Sequence, residues 1–440
     1  MLMLLFSFLF LLFSFFFMNY WLILNFMFML LFIFFMINMN NLMFYNISLI
    51  FSLDIYSFGL IFLMIWICSL NMMISINYYS FNMIYLLNNF ILILILLMMF
   101  SVMNLFYFYL LFESSLIPIL LMIIGWGNQV DRIQAGIYLL FYTMLFSIPM
   151  LICIMKIKMI MNTFYMIFIL NLNDFMVYLL LILSFLVKMP MYFIHLWLLK
   201  AHTEAPLGGS MILAGILLKM GGYGIIRVMK FMINISLNLN ILWMVISILG
   251  GVYVSIMCMI QMDMKLLIAC SSIVHMSLVI GGLMTMSFWG MFGAYILMIG
   301  HGLSSSGLFI LVNYYYELLL SRSLMISKGM LTLFPILTLW WFLMLSSNMA
   351  SPPTLNLLGE ISLFNSILNW SMINMIFIIL ISFFSVAYSL YIYTFCHHGK
   401  FLSGLVVYIL GTYKDYLILI MHWLPMNFLI LKFDFIFLLI

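Results

Sequence analysis

Charge is what this chain has least of. Its 440 residues include 14 Lys or Arg and 10 Asp or Glu, only 5% of the total. That leaves too few charged groups to coat a soluble domain, and no basic cluster of the kind that grips nucleic acid. Cysteine is scarce too. Cys68, Cys153, Cys258, Cys270 and Cys396 show no CxxC spacing, which excludes a disulfide framework, a zinc site and an iron–sulfur cluster of ordinary design. The run Cys396-His397-His398 resembles a metal site only superficially, because no matching ligands stand elsewhere. No phosphate-binding loop and no GxGxxG fingerprint are present, which excludes direct nucleotide drive. The first residues, MLMLLFSFLFLLFSFFF, have no basic flank or cleavage motif and no Arg-rich amphipathic pattern. They read as a first membrane helix rather than a signal or transit peptide. Alanine (eight residues) and arginine (three) are also rare, while Met (47) and Phe (45) are abundant. This bias points to an A/T-rich animal mitochondrial genome whose code has more than one Met codon. Ordinary codon usage in the coding DNA would refute it.

What fills the chain is hydrocarbon. Apolar residues make up 69%, and mean hydropathy is +1.35. Runs long enough to span a bilayer follow one another with short gaps. They read as 2–17, 20–38, 54–76, 83–103, 105–124, 135–157, 174–198, 206–230, 240–259, 266–286, 288–312, 333–365, 370–393 and 407–430. The expectation is an all-α polytopic membrane protein, one integral domain of about fourteen helices. Lys156, Lys158, Arg227 and Lys230 flank spans and are expected to snorkel at the interface. Asp263 with Lys265, and Glu317 with Arg322, mark interfacial loops.

Two spans are interrupted in similar ways, one at Lys188-Met189-Pro190 and the other at Ser351-Pro352-Pro353. Proline removes a backbone donor and clashes with the preceding turn, so the freed carbonyls need partners at membrane depth. Breaks in corresponding places of two halves point to repeats around a mid-membrane ion pathway. Two unrelated proline kinks are the bland alternative. The division that follows is N-terminal helices over 1–82, a first repeat over 83–230, a second over 240–393, and a C-terminal helix and tail over 394–440. A third candidate break is the glycine-rich stretch around Lys219, from Ala214 to Gly224; glycine alone more often means helix packing, but beside a buried lysine it reads as a loosened helix that backbone or water can approach.

Glu113, Lys188, Lys219 and Glu360 lie inside these apolar stretches or at their breaks. A charge at the middle of a membrane helix costs about 2.5–3.5 kcal/mol on insertion scales, so such residues mark ion or proton paths by default. A Glu113–Lys188 pair would act as a switch: approach of the carboxylate holds a proton on the amine, and separation releases it. The competing reading is a static buried pair. His275 and His301 are candidate carriers between stations, since histidine titrates near neutrality. Each of them, like His195, would serve equally as a helix-packing residue.

The stretches Phe185–Tyr192 and His195–Pro206, with Lys188 and Pro190 in the first and Lys200-Ala201-His202-Thr203-Glu204-Ala205-Pro206 in the second, resemble the core motif of the antiporter-like membrane subunits of respiratory complex I. Supporting stretches are Gly127-Asn128-Gln129, Lys219-Met220-Gly221-Gly222-Tyr223-Gly224 and Gly300-His301-Gly302. The likeness runs from about residue 105 to 365, and the first hundred residues match only in hydropathy. It implies fourteen helices with two inverted five-helix repeats and broken helices. It also implies that Glu113 is the carboxylate beside the broken-helix Lys188. Lys219 would be the central lysine, His275 and His301 the relay histidines, and Glu360 the terminal acid. The adjacent serines, Ser114 and Ser115, depart from the more apolar or smaller choices of relatives. The implied role is proton translocation in the mitochondrial inner membrane beside other complex I membrane subunits and lipid. No cofactor is expected in this chain; flavin, iron–sulfur clusters and quinone would sit in partners. A stand-alone sodium/proton antiporter and a structural scaffold are the rivals. Ion exchange by the isolated chain would favour the first, and pumping that survives neutralisation of all four charges the second.

Overall fold

The computed structural model describes residues 2–14, 20–38, 51–75, 82–169, 172–401 and 412–431. The ends of the first and last expected spans, 15–17 and 407–411, lie outside them. Among the described residues the regular structure is helical, with isolated bridges Phe51–Val102, Asn104–Tyr165 and Asp263–Ser323. Hydrocarbon offers no partner for a backbone N–H or C=O, so a long apolar run satisfies itself as a helix.

The chain passes through α1 (Leu2–Ser14), α2 (Tyr20–Asn38), α3 (Ile55–Ser75) and α4 (Asn82–Ser101). A rod nicked at Ser115 follows, made of α5 (Leu105–Ser114) and α6 (Leu116–Trp126), and then α7 (Arg132–Met161). The first broken span is α8 (Phe175–Lys188) and α9 (Leu196–Glu204). Next comes α10 (Leu207–Ile212), a π-helical turn over Leu213–Leu217, and α11 (Leu218–Met229). Then come α12 (Ile233–Cys258), α13 (Met264–Met284) and α14 (Phe288–Leu319). The second broken span is α15 (Met330–Leu333), α16 (Pro335–Asn348) and α17 (Leu355–Trp370), followed by α18 (Asn374–His397) and α19 (Tyr413–Leu431). Nine segments among the described residues are individually long and apolar enough to cross a membrane. The chain is thus an all-α polytopic membrane protein.

Enclosure is uneven. The apolar windows of α10–α11 and α14 are wholly buried and that of α13 is 94% buried, against 33% for α7 and α18. The three enclosed rods carry Lys219, His301 and His275. Small residues let them meet: Gly215 faces the Gly302 carbonyl, and Gly251 of α12 lies against Ser277 of α13.

Each break has a local cause. At Pro190 the helical ladder of α8 fails, and the Val187 carbonyl accepts instead from the Trp197 indole at 3.1 Å. Before Pro352-Pro353, the Ser346 carbonyl accepts from Ser351 N at 3.1 Å and its hydroxyl at 2.9 Å. The glycines near Lys219 behave differently from the expectation of a loosened helix. Gly221 and Gly224 seat α11 directly on Phe185 and Met189, where a Cβ would collide. The local irregularity is the π-turn that ends two residues before Lys219.

A second expectation is corrected. Lys156, Lys158 and Lys230 are exposed, but Arg227 does not snorkel. It is buried, ion-paired to Asp54, and donates to the Tyr223 hydroxyl from Nε at 2.8 Å and Nη2 at 2.6 Å. Sequence distance hid Asp54, which immediately precedes α3 and stands 173 positions earlier.

Candidate functional site

The π-turn arms Lys219. In a π-turn each N–H reaches back five residues, so Leu218 N–H bonds to Leu213 and leaves the Ala214 carbonyl without its helical donor. Lys219 Nζ donates to that carbonyl. It also lies 3.0 Å from His301 Nδ1. The His301 and His275 rings stand 5.5 Å apart between centroids, and His275 Nδ1 lies 3.4 Å from Glu360 Oε1. Lys219, His301, His275 and Glu360 are 0%, 1%, 2% and 8% exposed. Four of the six residues singled out in the sequence therefore form one row across α11, α14, α13 and α17. The Nε2 atoms of both histidines have no hydrogen-bond partner in the protein, so each ring keeps a free nitrogen for proton exchange.

Lys188 and Glu113 form a separate group. Lys188 Nζ donates to the Phe112 carbonyl at 2.6 Å and sits 3.1 Å from the centroid of the Phe112 ring. The Ser115 hydroxyl donates to the same carbonyl at 2.7 Å, which gives the second of the unusual serines a role at the nick. Glu113 is half-buried, and its Oε1 has no protein hydrogen-bond partner. No ion pair joins it to Lys188, although the two are electrostatic neighbours. Packing of Gly221 on Met189 is what links the Lys188 break to the Lys219 helix.

Sequence reasoning missed His202. It is fully buried on α9, neither ring nitrogen has a protein partner, and it stacks on Phe309 at 4.8 Å. Phe309 lines a cavity of about 190 Å³ with Glu204, Lys265, Glu317 and Arg322. The residues expected at the interface gather here on the end of α9. Lys265 donates to the Ala205 carbonyl at 2.6 Å and Arg322 to the Thr203 carbonyl at 2.7 Å, as cations do at helix C-termini. The signal for His202 was its place in the motif, two residues before Glu204, but a lone histidine on an apolar helix reads first as packing. His195 instead stacks on Tyr192, away from the row. His397 bonds to the Tyr315 hydroxyl at 3.2 Å inside an aromatic cluster, and Cys396 contacts Met264. Among the described residues no three His, Cys, Asp or Glu side chains gather as a metal site.

The fold and this row define a membrane helix bundle with a buried chain of titratable groups. The NADH:quinone oxidoreductase/Mrp antiporter transmembrane family matches residues 102–385, and the chain belongs to that family. It is similar to NADH-ubiquinone oxidoreductase chain 4 of Ceratitis capitata, at 50% identity, and of Aedes aegypti, at 51%, with 94% of each chain covered in both cases. Chain 4 of Lumbricus terrestris is 45% identical over 78% of each chain. The likeness therefore reaches well beyond the stretch 105–365 that the motifs mark. A chain in the structure of respiratory complex I from Thermus thermophilus with bound NADH superposes with a TM-score of 0.80 at 23% identity, covering 88% of this chain and 86% of that one. At that identity the match speaks for the fold.

Proposed function

We propose that this chain is a proton-translocating membrane-arm subunit of NADH:ubiquinone oxidoreductase, multi-pass in the mitochondrial inner membrane. The relatives that cover nearly its whole length carry that enzyme's chain 4 name. The observation that carries the mechanism is the contact row Lys219–His301–His275–Glu360, set in the most enclosed helices. A proton taken up at Lys188 passes to Lys219, is handed through His301 and His275, and is released from Glu360. Glu113 sets how firmly Lys188 holds its proton by approaching or withdrawing. Moving one charge against 100 mV costs about 2.3 kcal/mol, so the drive comes from outside the chain. Flavin, iron–sulfur clusters and quinone belong in this reading to partner subunits, and neighbouring antiporter-like subunits abut the Glu113 and Glu360 ends. Counting each interrupted rod as one crossing supports fourteen helices, and the two proline-broken spans support paired inverted repeats over 83–230 and 240–393.

The test is Lys188→Met and, separately, Glu113→Ala in the assembled enzyme in proteoliposomes. Proton translocation is lost in both while assembly persists. Full pumping in both variants rejects the mechanism.

The cavity beside Glu204 and Lys265 gives the row access to an aqueous face through His202, which feels the charges of both Lys219 and Lys265. His202→Phe keeps the stack on Phe309 and removes the exchangeable proton. General acid–base groups contribute about 10²–10⁴-fold, so proton flux should fall by at least tenfold. Stopped-flow pH-dye measurements would check it, and an unchanged rate would exclude this route.

A further inference from the structure

The break between α16 and α17 touches the relay through one side chain. Asn356 opens α17 and is 2% exposed. Its Nδ2 donates at 2.8 Å to the Ser347 carbonyl in the last turn of α16, a carbonyl that also accepts from Ala350 N at 3.3 Å. The same nitrogen lies 3.4 Å from Ser304 Oγ on α14. Ser304 and Ser305 both donate to the carbonyl of His301, at 3.3 and 2.6 Å. The Asn356 carbonyl oxygen accepts no hydrogen bond from the protein and lies against Gly300, next to His301 in sequence, so closely that a Cβ at Gly300 would collide with it. Asn356 also precedes Glu360 by four residues, which puts the two side chains on one face of α17.

These contacts join three things that must stay in register: the helix break, the backbone of His301, and the face that presents Glu360 to His275. A buried amide that makes fewer bonds than it can carries a desolvation cost. Leucine has a similar volume and would avoid that cost, so packing alone does not account for an amide here.

We propose that Asn356 is a positioning residue that ties the α16–α17 break to the His301 helix and thereby sets the Glu360–His275 contact. This rests on the relay reading above. Motion at the break is passed to the row through the Ser347–Asn356–Ser304 bridge. A shift of α17 against α14 lengthens or shortens the last proton-transfer step without altering any titrating group.

The experiment uses the assembled enzyme in proteoliposomes and reads protons moved per NADH oxidised, together with NADH oxidation under uncoupler. Asn356→Leu should lower the proton yield and shift its pH profile, while uncoupled oxidation is kept. Gly300→Ala, which displaces the amide from the other side, should do the same. Asn356→Gln, which restores the donor, should recover part of the yield. Parental yield in both the Leu and Ala variants overturns the proposal. Poor assembly with unchanged yield per NADH also overturns it, because that is the mark of a purely structural residue. Lys219→Met is the reference. If it pumps normally, the relay reading itself fails; if it does not pump and Asn356→Leu does, only the present inference fails.

Discussion

Lys219→Met should stop proton translocation while leaving the bundle folded. Methionine is unbranched and close to lysine in length, and it fills irregular buried space well. The lysine it replaces is fully enclosed, so the hole it must fill is apolar in shape if not in chemistry. Two partners are lost, the Ala214 carbonyl and His301 Nδ1. Each unpaired buried group costs about 1–3 kcal/mol, which a bundle of this size can absorb. The effect on transfer is larger, because Lys219 is the titratable amine in contact with His301 Nδ1. Flux should fall by about a hundredfold or more, the usual scale for removing an acid–base group. Lys219→Arg separates titration from charge. Guanidinium keeps the positive charge and can still donate to Ala214, but it does not give up its proton in proteins. It should therefore fail almost as completely as methionine. An Arg variant that pumps at the parental rate would show that Lys219 serves as a fixed charge, and the relay would have to be redrawn without it.

The titrating groups were legible in the sequence because each is chemically out of place. Glu113, Lys188, Lys219 and Glu360 interrupt runs that carry little other charge, and His275 and His301 lie in similar runs. The family resemblance implied their order, but which of them touch was not legible from the residues. Lys219 meets His301 across 82 positions and His275 meets Glu360 across 85, and helix periodicity carries no information about which rods adjoin. Polar groups without charge were harder still. Asn356 is one of many asparagines in this chain, and its contacts with Ser347 and Ser304 set it apart. Backbone partners were invisible in principle. The carbonyls of Phe112 and Ala214 hold the two lysines, and each becomes available through a nick or π-turn that no residue type announces. The glycines around Lys219 were misread for a related reason: glycine marks both loose helices and tight ones, and only the Phe185 and Met189 contacts decide between them. Arg227 was misplaced because a basic residue at the end of a span usually faces water, and its acid lies at the start of α3.

That misplaced arginine carries the largest expected effect on stability. Arg227 and Asp54 are both buried, and Tyr223 braces the arginine while donating onward to the Phe100 carbonyl at 2.8 Å. Lys219, Tyr223 and Arg227 follow one another at four-residue steps along α11, so the ion pair anchors the far end of the helix that carries the central lysine. Asp54→Ala leaves a guanidinium buried with a phenol and a thioether for company, the latter Met103 at 3.5 Å. Breaking a buried pair from one side costs about 3–5 kcal/mol, because the surviving charge keeps its desolvation penalty and loses its compensation. The expected result is a sharp fall in assembled chain and in the temperature at which it unfolds in detergent. Arg227→Met alone should cost less, since a lone carboxyl can take up a proton and become neutral. The double variant Asp54→Ala with Arg227→Met should recover much of the loss, as removal of both charges leaves nothing uncompensated. Additive costs in that cycle would mean that the two side chains contribute independently and that α11 is held by its packing on α8. Recovery of stability without recovery of pumping would mean that the pair, beyond holding the fold, fixes where Lys219 stands relative to His301.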